Sequence, residues 1–580
     1  MDLRLLEFGR KISGRVVEAF MGMSAFRMAG QGVEKQCERI DPYLEWLKRV
    51  SPDMAQSPER IAALGVRPFF SIILPTYNSD LDFFDALIRS IRCQTYKKFE
   101  VCIVDDCSSD AAFLEYLEKL PEVDSRFRLL RSGENGGIAT NTNRAIALAE
   151  GGFLVLCDHD DLLAPFALEF AALHIDANPE VDLIYSDEDM IDPEGMRCNP
   201  RLQPDWNPDM MTSHMYCPHM VVIRKSLADR TGELDSAMDG AQDFDFFLRL
   251  SENAREIGHI PLILYSWRRA PGSVAMDASA KVYAYESGRL ALDNAMKRRG
   301  EDAVVVKASG ASLGVYRVKR KIIDDTVSHI VDGCSESAVL AARSIALVSS
   351  RRVEILVGVP EGMDDLAEVV SRERWVTVFR VPKGSGRGCV YNRGGKLASA
   401  NTLFFSAHNV ELLDSEYPDA AVEHAARREI GAVGVKIIYI NGKFYHTGML
   451  LGVNKLRGYA HRNMYQGTGQ WNYACCIRNY SAVSWDLMAV NRRTWEEVGG
   501  FDEALLRFGD VDFCLKLTRK GYRHLYTPYV AGVLMRGVHT LDELVSEEET
   551  QALLDRYGKG ILVDPNYHPL LTKELEDFSL

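Results

Sequence analysis

The chain has 580 residues, 47% hydrophobic and 26% charged, with 82 acidic against 68 basic side chains and a net charge of -14. That length predicts two or more domains, and the acidic balance excludes a dedicated nucleic-acid binder, which carries a basic face. Twelve scattered cysteines show no C-x-x-C or zinc spacing, so reduced thiols in a cytoplasmic compartment are expected; no apolar run is long enough to span a bilayer, and no signal-peptide pattern opens the chain.

Residues 1–66 read as a helical segment without strand pattern. Leu5, Phe8, Ile12, Val16 and Phe20 recur at helical spacing, with Arg4, Arg10, Lys11 and Arg15 interspersed. Such a helix either packs against its own domain, the commoner outcome, or makes residues 1–30 a peripheral contact with the inner face of a membrane. Pro42 to Arg49, followed by Ser51-Pro52, reads as a helix and its end. From Phe69 onward, short β-rich runs alternate with helical patterns: Phe69 to Leu74, a helix near 82–93, Phe99 to Val104, a helix, Arg128 to Leu130, a helix near 141–149, and Phe153 to Cys157. That alternation predicts an α/β fold with a doubly wound, mostly parallel sheet, whose ligands sit outside the carboxyl ends of the strands.

Those strand ends carry the chemistry. Phe153 to Cys157 closes in Asp158-His159-Asp160-Asp161, a concentration of carboxylates that suits a divalent cation sharing a phosphate, or else a solvated acidic turn. Asp106, after the second strand, is placed to accept from a base or ribose edge, or to cap a helix. Asn135-Gly136-Gly137 offers a loop that approaches a diphosphate or merely turns. In Asp239-Gly-Ala-Gln-Asp243-Phe-Asp245, two carboxylates open an amphipathic helix, a general base at a cleft mouth on one reading and helix capping on the other. The run from His259 ends in Tyr265-Ser-Trp267-Arg268-Arg269, whose guanidinium groups suit phosphate oxygens.

The remainder reads as a diverged copy of the same unit. Gly232, Asp235, Asp243, Asp245, Leu248, Leu250 and Pro261 have counterparts at constant spacing in Gly499, Asp502, Asp510, Asp512, Leu515, Leu517 and Pro528; Asn143-Arg144 matches Asn392-Arg393. Residues 67–318 and 325–580 are the expected units, with 316–326 as connector.

The segments Ser71 to Asn78, Gln94-Thr-Tyr96, Val104 to Asp110, Asn135-Gly-Gly, Asp158-His-Asp160 and Gln242-Asp243 together resemble the inverting family 2 glycosyltransferases of the GT-A nucleotide-sugar fold. Tyr185 to Asp189, Pro204 to Pro208 and Leu264 to Arg268 look like the bacterial subgroup of O-antigen and capsule assembly. The resemblance implies two tandem GT-A units and a nucleoside diphosphate sugar donor, UDP- or dTDP-linked, with a glycan or lipid-linked glycan as acceptor. Pro75, Thr76, Tyr77, Asp106 and Asp158 would bind the nucleotide, and Asp158 and Asp160 would hold Mg²⁺ or Mn²⁺. Asp243 would be the base, while Asp245, Trp267, Arg268 and Arg269 would contact diphosphate or acceptor. In the second unit, Asp332-Gly-Cys-Ser335, Val359-Pro360 and Ala407-His408-Asn409 replace the donor-side motifs, whereas Asp510 and Asp512 remain. A lost donor side and a retained acceptor side are expected there. The competing readings are a catalytically inactive sugar- or nucleotide-binding scaffold and a bifunctional enzyme with both domains active. A nucleotidyltransferase would need a Gly- and Lys/Arg-rich phosphate loop where Pro75 to Asn78 stands.

Overall fold

The computed structural model describes residues 42–269, 282–323, 326–413, 416–467, 469–535 and 546–580. The amphipathic stretch of residues 1–30 lies outside them. The expected helix is present as Pro42–Val50, and its Tyr43 hydroxyl donates to Asp189 Oδ2 at 2.5 Å, docking it on the first sheet.

That sheet contains β1 (Phe70–Thr76), β2 (Phe99–Asp105), β3 (Phe127–Arg131), β4 (Phe153–Leu156), β5 (Leu162–Leu163), β6 (Leu183–Ile191), β7 (Arg197–Arg201), β8 (Val221–Arg224) and β9 (Ile257–Arg268). The order is β3-β2-β1-β4-β8-β6-β9-β5, with β7 on β6. β8 and β5 run against their neighbours and the rest of that path is parallel, as the run of βα units requires. Ile72, Ile73 and Leu74 of β1 are all fully buried because helices cover both faces, so the strand reads as continuously apolar. Helix Leu81–Arg92 starts on Asp80, whose carboxylate accepts from Asp82 N and Phe83 N, and it buries Phe84, Leu87, Ile88 and Ile91 along one face. Each such side chain contributes about 1.5–3 kcal/mol relative to exposure.

β10 (Ala303–Lys307) and β11 (Tyr316–Arg320) form an antiparallel hairpin. The expected connector is therefore partly strand. Second-unit glutamates hold it: Arg317 meets Glu416 at 2.7 Å and Glu423 at 3.4 Å, and the Arg320 backbone N–H donates to Glu423 at 2.8 Å, while the Arg320 guanidinium pairs with Glu301 of the first unit at 2.6 Å.

The second sheet is built from β12 (Thr326–Asp332), β13 (Arg352–Pro360), β14 (Val376–Val381), β15 (Thr402–Ser406), β16 (Val410–Leu412), β17 (Ile430–Tyr439), β18 (Phe444–His446), a separate hairpin β19 (Met449–Leu451) and β20 (Arg457–Tyr459), then β21 (Arg478–Tyr480), β22 (Leu487–Asn491) and β23 (Arg523–Leu534). Its order, β14-β13-β12-β15-β22-β17-β23-β16, repeats the first strand for strand, with the same reversed positions. The repeat extends to side chains. Asn143 exchanges hydrogen bonds with the backbone of Leu234, both at 2.9 Å; Asn392 makes the same pair with Phe501, also both at 2.9 Å.

The two units pack through the segment after β7. Asp209, 1% exposed, accepts from Arg427 at 2.6 Å, Arg523 at 2.8 Å and Asn479 Nδ2 at 2.7 Å. Asn207 and Asn479 pair reciprocally beside it. Around them, Leu202, Met210, Met211 and Tyr216 share one apolar cluster with Tyr473, Tyr480, Tyr526 and Phe578. Residues 204–208, singled out in the sequence, are thus part of the face on which the second unit sits.

Candidate active site

The carboxyl ends of β1, β2 and β4 meet at one edge. Asn78 N donates to Ser108 Oγ at 2.8 Å, and Ser109 N donates to Asn78 Oδ1 at 2.9 Å, stitching the first two loops together. Asn78 and Cys107 take positive φ (45° and 65°) to make these turns. Thr76 is buried against Ser79 Oγ, 2.5 Å away, while Tyr77 is 48% exposed beside it. Pro75 is partly exposed. Asp106 does neither thing expected of it as a local cap or an open ligand. Its two oxygens accept from Gly136 N and Gly137 N, both at 2.9 Å, and it is 3% exposed; the cap of helix Ala111–Val123 is Asp110. Asp106 therefore fixes the glycine loop, and any part in nucleotide binding passes through that loop.

After β4, the acidic run divides its labour. Asp161 is fully buried: Tyr265 donates its hydroxyl to Oδ2 at 2.7 Å and Arg268 N donates to Oδ1 at 2.7 Å. Burial, with Asp158 adding to it, pushes the Asp161 carboxyl well above its ordinary range. Asp158 keeps about half of its side chain open, and His219 Nε2 stands 3.7 Å from it. Burial would raise Asp158, but His219 overrides that and holds it below its ordinary value. Asp160 is raised, chiefly by burial and further by Asp158.

His219 gave no signal in the sequence. Its Nδ1 lies 2.7 Å from Glu188 Oε2, and its ring stacks on Tyr265 with centroids 4.5 Å apart. Burial opposes its protonation, yet Asp158 and Glu188 raise its pKa well above the usual value. Ligand-capable atoms of Asp158, Asp161 and His219 lie within 4.8 Å of one another, a grouping that does not include Asp160. Both Asp161 oxygens already accept hydrogen bonds, whereas Asp158 is half-open.

Asp243 begins helix Gln242–Asn253 with more than a third of its surface open. Phe244 N donates to its Oδ1 at 2.8 Å. The surrounding protein raises its carboxyl above the usual range, mainly by desolvation and further through Asp158, against the lowering effects of the Phe244 N–H and of His219. Asp245 does not: it is 4% exposed and bound to Arg249 Nε at 2.8 Å, an intrahelical pair rather than a ligand contact. Arg268 Nε donates to Asp160 O at 2.7 Å and its guanidinium lies 4.4 Å over Phe83, so it braces the acidic turn. Trp267 carries Arg201 at 5.4 Å, and Arg269 is tied to Ile191 O through its backbone.

The corresponding helix of the second unit, Gly509–Thr518, has the same local geometry but is closed. Asp510 Oδ1 accepts from Val511 N at 2.9 Å, as Asp243 does from Phe244, yet Asp510 is fully buried with Arg457 Nη1 at 3.3 Å. Burial raises it to about 6. Asp512 is fully buried as well, on Lys516, Arg556 and Tyr557. The carboxylates expected on a retained acceptor side are thus present in the second unit but buried. The reason is the β19–β20 hairpin, which lays Arg457 over the position that stays open in the first unit.

Residues 71–232 match the family model described as Glycosyl transferase family 2. Over 556 residues the chain is 30% identical to the uncharacterized protein y4gI of Sinorhizobium fredii, covering 92% of this chain and 61% of that one. Over 560 residues it is 28% identical to the O-antigen biosynthesis protein RfbC of Myxococcus xanthus, covering 93% and 43%. A crystal structure of S. aureus TarS 1-349 in complex with UDP-GlcNAc overlaps 38% of this chain and 65% of its own at 25% identity, with a TM-score of 0.33. The chain thus spans only 61% and 43% of its two full-length curated relatives. Over residues 71–232, the chain is similar to glycosyl transferase family 2.

Proposed function

We propose that the first unit transfers a sugar from a nucleoside diphosphate sugar to a hydroxyl of a growing bacterial surface polysaccharide, with inversion at the anomeric carbon. This reading is supported by the open Asp243 carboxyl of raised pKa at the start of helix Gln242–Asn253, together with the half-open carboxylate of Asp158 after β4. A raised carboxyl is a better proton acceptor near neutral pH than an ordinary one. Asp243 takes the acceptor proton as its oxygen attacks the anomeric carbon opposite the departing diphosphate. Thr76, Tyr77 and the Asp106-held glycine loop shape the nucleotide end, while Asp161, Tyr265 and Arg268 keep the acidic turn in place.

Asp158 and Asp160 present hard oxygen donors that fit Mg²⁺ or Mn²⁺. A bound ion there supplies neutralisation of charge on the leaving diphosphate. UDP and dTDP sugars are the proposed donors, and a glycan or lipid-linked glycan the proposed acceptor, supported by the likeness to a protein of O-antigen biosynthesis. No helix among the described residues is long and apolar enough to cross a membrane; action at the inner face from the cytoplasm is part of the proposal. Residues 325–580 are proposed as a second family unit without transfer activity, because Asp510 is sealed.

The test is nucleoside diphosphate release from a panel of UDP and dTDP sugars with Mn²⁺, comparing wild type, Asp160→Ala and Asn409→Ala. Loss in Asp160→Ala alone supports one working site; equal loss in both proteins sinks the single-site reading.

A further inference from the structure

At the edge of the second sheet, three side chains of different chemistry converge. His408 Nδ1 lies 2.7 Å from Asp332 Oδ1 and 3.0 Å from Cys334 Sγ, and the three ligand-capable atoms are all within 4.8 Å of one another. Register fixes where this is. Ile330 pairs with Phe405 as Ile73 pairs with Leu156, which puts Asp332 at the place of Pro75, Cys334 at that of Tyr77 and His408 at that of His159. The donor edge of the second unit has not simply lost its carboxylates. It has acquired a sulfur at Cys334 and a carboxylate at Asp332, beside an imidazole that the first unit also carries as His159.

We propose that Asp332, Cys334 and His408 form a binding site for a borderline-soft divalent ion of the Zn²⁺ class. The donor set is what separates Zn²⁺ from the hard ions suited to Asp158 and Asp160: thiolate and imidazole favour it, whereas Mg²⁺ prefers oxygen. Cys334 Sγ lies 3.0 Å from His408 Nδ1 and 3.6 Å from its Nε2, so thiol, imidazole and carboxylate crowd one point at the sheet edge.

Charge agrees. Asp332 and Asp486 flank Arg387, whose Nε meets Asp332 Oδ2 at 2.8 Å and whose Nη1 meets Asp486 Oδ1 at 2.6 Å, leaving one uncompensated negative charge. A dication that displaces the Cys334 thiol proton to solvent brings the group to neutrality. Arg387 grips the carboxylate oxygen that faces away from His408, the outer-shell support that orients a ligating carboxylate. Tetrahedral bonding at about 2.0–2.3 Å separates neighbouring ligand atoms by about 3.4–3.6 Å. The trio must therefore open by roughly half an ångström or more: Cys334, exposed on the turn after β12, supplies the sulfur's share, and the partly exposed His408 ring must draw back from the buried Asp332. Three protein ligands leave a fourth position on the solvent side.

A second cluster, Asp187 with His259 and His568, has a different character. Leu570 N donates to His568 Nδ1 at 3.1 Å, so Nε2 carries the proton it shares with Asp187 and has no lone pair to offer. It is a hydrogen-bonded latch.

The experiment takes the full chain, stripped with chelator, and adds Co²⁺ as probe and then Zn²⁺ in the presence of excess Mg²⁺. Wild type and Cys93→Ser, an exposed cysteine elsewhere, should show a thiolate-to-cobalt charge-transfer band that Zn²⁺ abolishes. Cys334→Ser should lack the band, and His408→Gln should bind more than about 10-fold more weakly, since loss of outer-shell partners alone costs that much. Near-ultraviolet circular dichroism confirms folding of the variants; Cys334 is exposed, so its serine form should be native. A band that persists in Cys334→Ser, or that appears in no protein, overturns the site.

Discussion

Replacing Asp209 with Asn separates the contribution of one buried charge from the packing around it. Asp209 is 1% exposed, and the surrounding cations hold its carboxyl well below the usual range even though burial alone would raise it. Its partners are unequally buried: the Arg427 side chain is 13% exposed and that of Arg523 is 34% exposed. Removing one member of a buried ionic group costs about 3–5 kcal/mol, because the remaining charges stay desolvated without a counterion. Arg523 can turn to water and Arg427 keeps Glu429 at 2.8 Å, so the lower end, about 3 kcal/mol, is expected. With a urea dependence of about 3 kcal/mol/M, the midpoint falls by about 1 M. Because Arg427 and Arg523 belong to the second unit while Asp209 belongs to the first, unfolding of the two units should also become less coincident than in wild type, read by fluorescence and far-ultraviolet circular dichroism together. A midpoint within about 0.2 M of wild type, with the probes still coincident, would refute the view that this charge holds the units together.

Two further outcomes follow from the same physics. Asp106→Asn leaves one glycine N–H facing an amide N–H₂, an unmet buried donor worth about 1–3 kcal/mol, so calorimetric Tm should fall and donor binding should weaken as the Gly136-Gly137 loop loosens; unchanged Tm and binding would contradict the tie. His259 opposes burial through Asp187 and is raised to about 9, so its stabilisation is complete below the unfolded value of about 6.5 and is lost as pH rises through about 9, on the order of 3 kcal/mol in all. Urea titrations across that window should slope downward in wild type and run flatter in His259→Gln; parallel slopes would show that the latch carries no charge.

The architecture was legible because β1, β2 and β4 are short apolar runs ending in polar residues, and because Asn143 and Asn392 sit at matched places within matched helices. What could not be read were relationships across the fold. Asp106 finds its partners at Gly136 and Gly137 on another loop, so a local reading offered only a cap or a free ligand. His219 stands in no motif, and its meaning comes from Glu188, Asp158 and Tyr265, which three different segments bring to it. Asp510 looked equivalent to Asp243 because the two helices begin alike; the Arg457 that covers it arrives on a hairpin some fifty residues upstream, a distance no spacing pattern reports.

The central claim is that one carboxylate, Asp243, does the proton transfer and that its counterpart does not. Nucleoside diphosphate release from the donor found in the sugar panel, measured for Asp243→Asn and Asp510→Asn beside calorimetric donor binding, tests it most directly. The account predicts a rate loss of about 10²–10⁴-fold in Asp243→Asn with donor affinity kept, and near wild-type rates in a folded Asp510→Asn. Full activity in Asp243→Asn, or a comparable loss in Asp510→Asn, would contradict it.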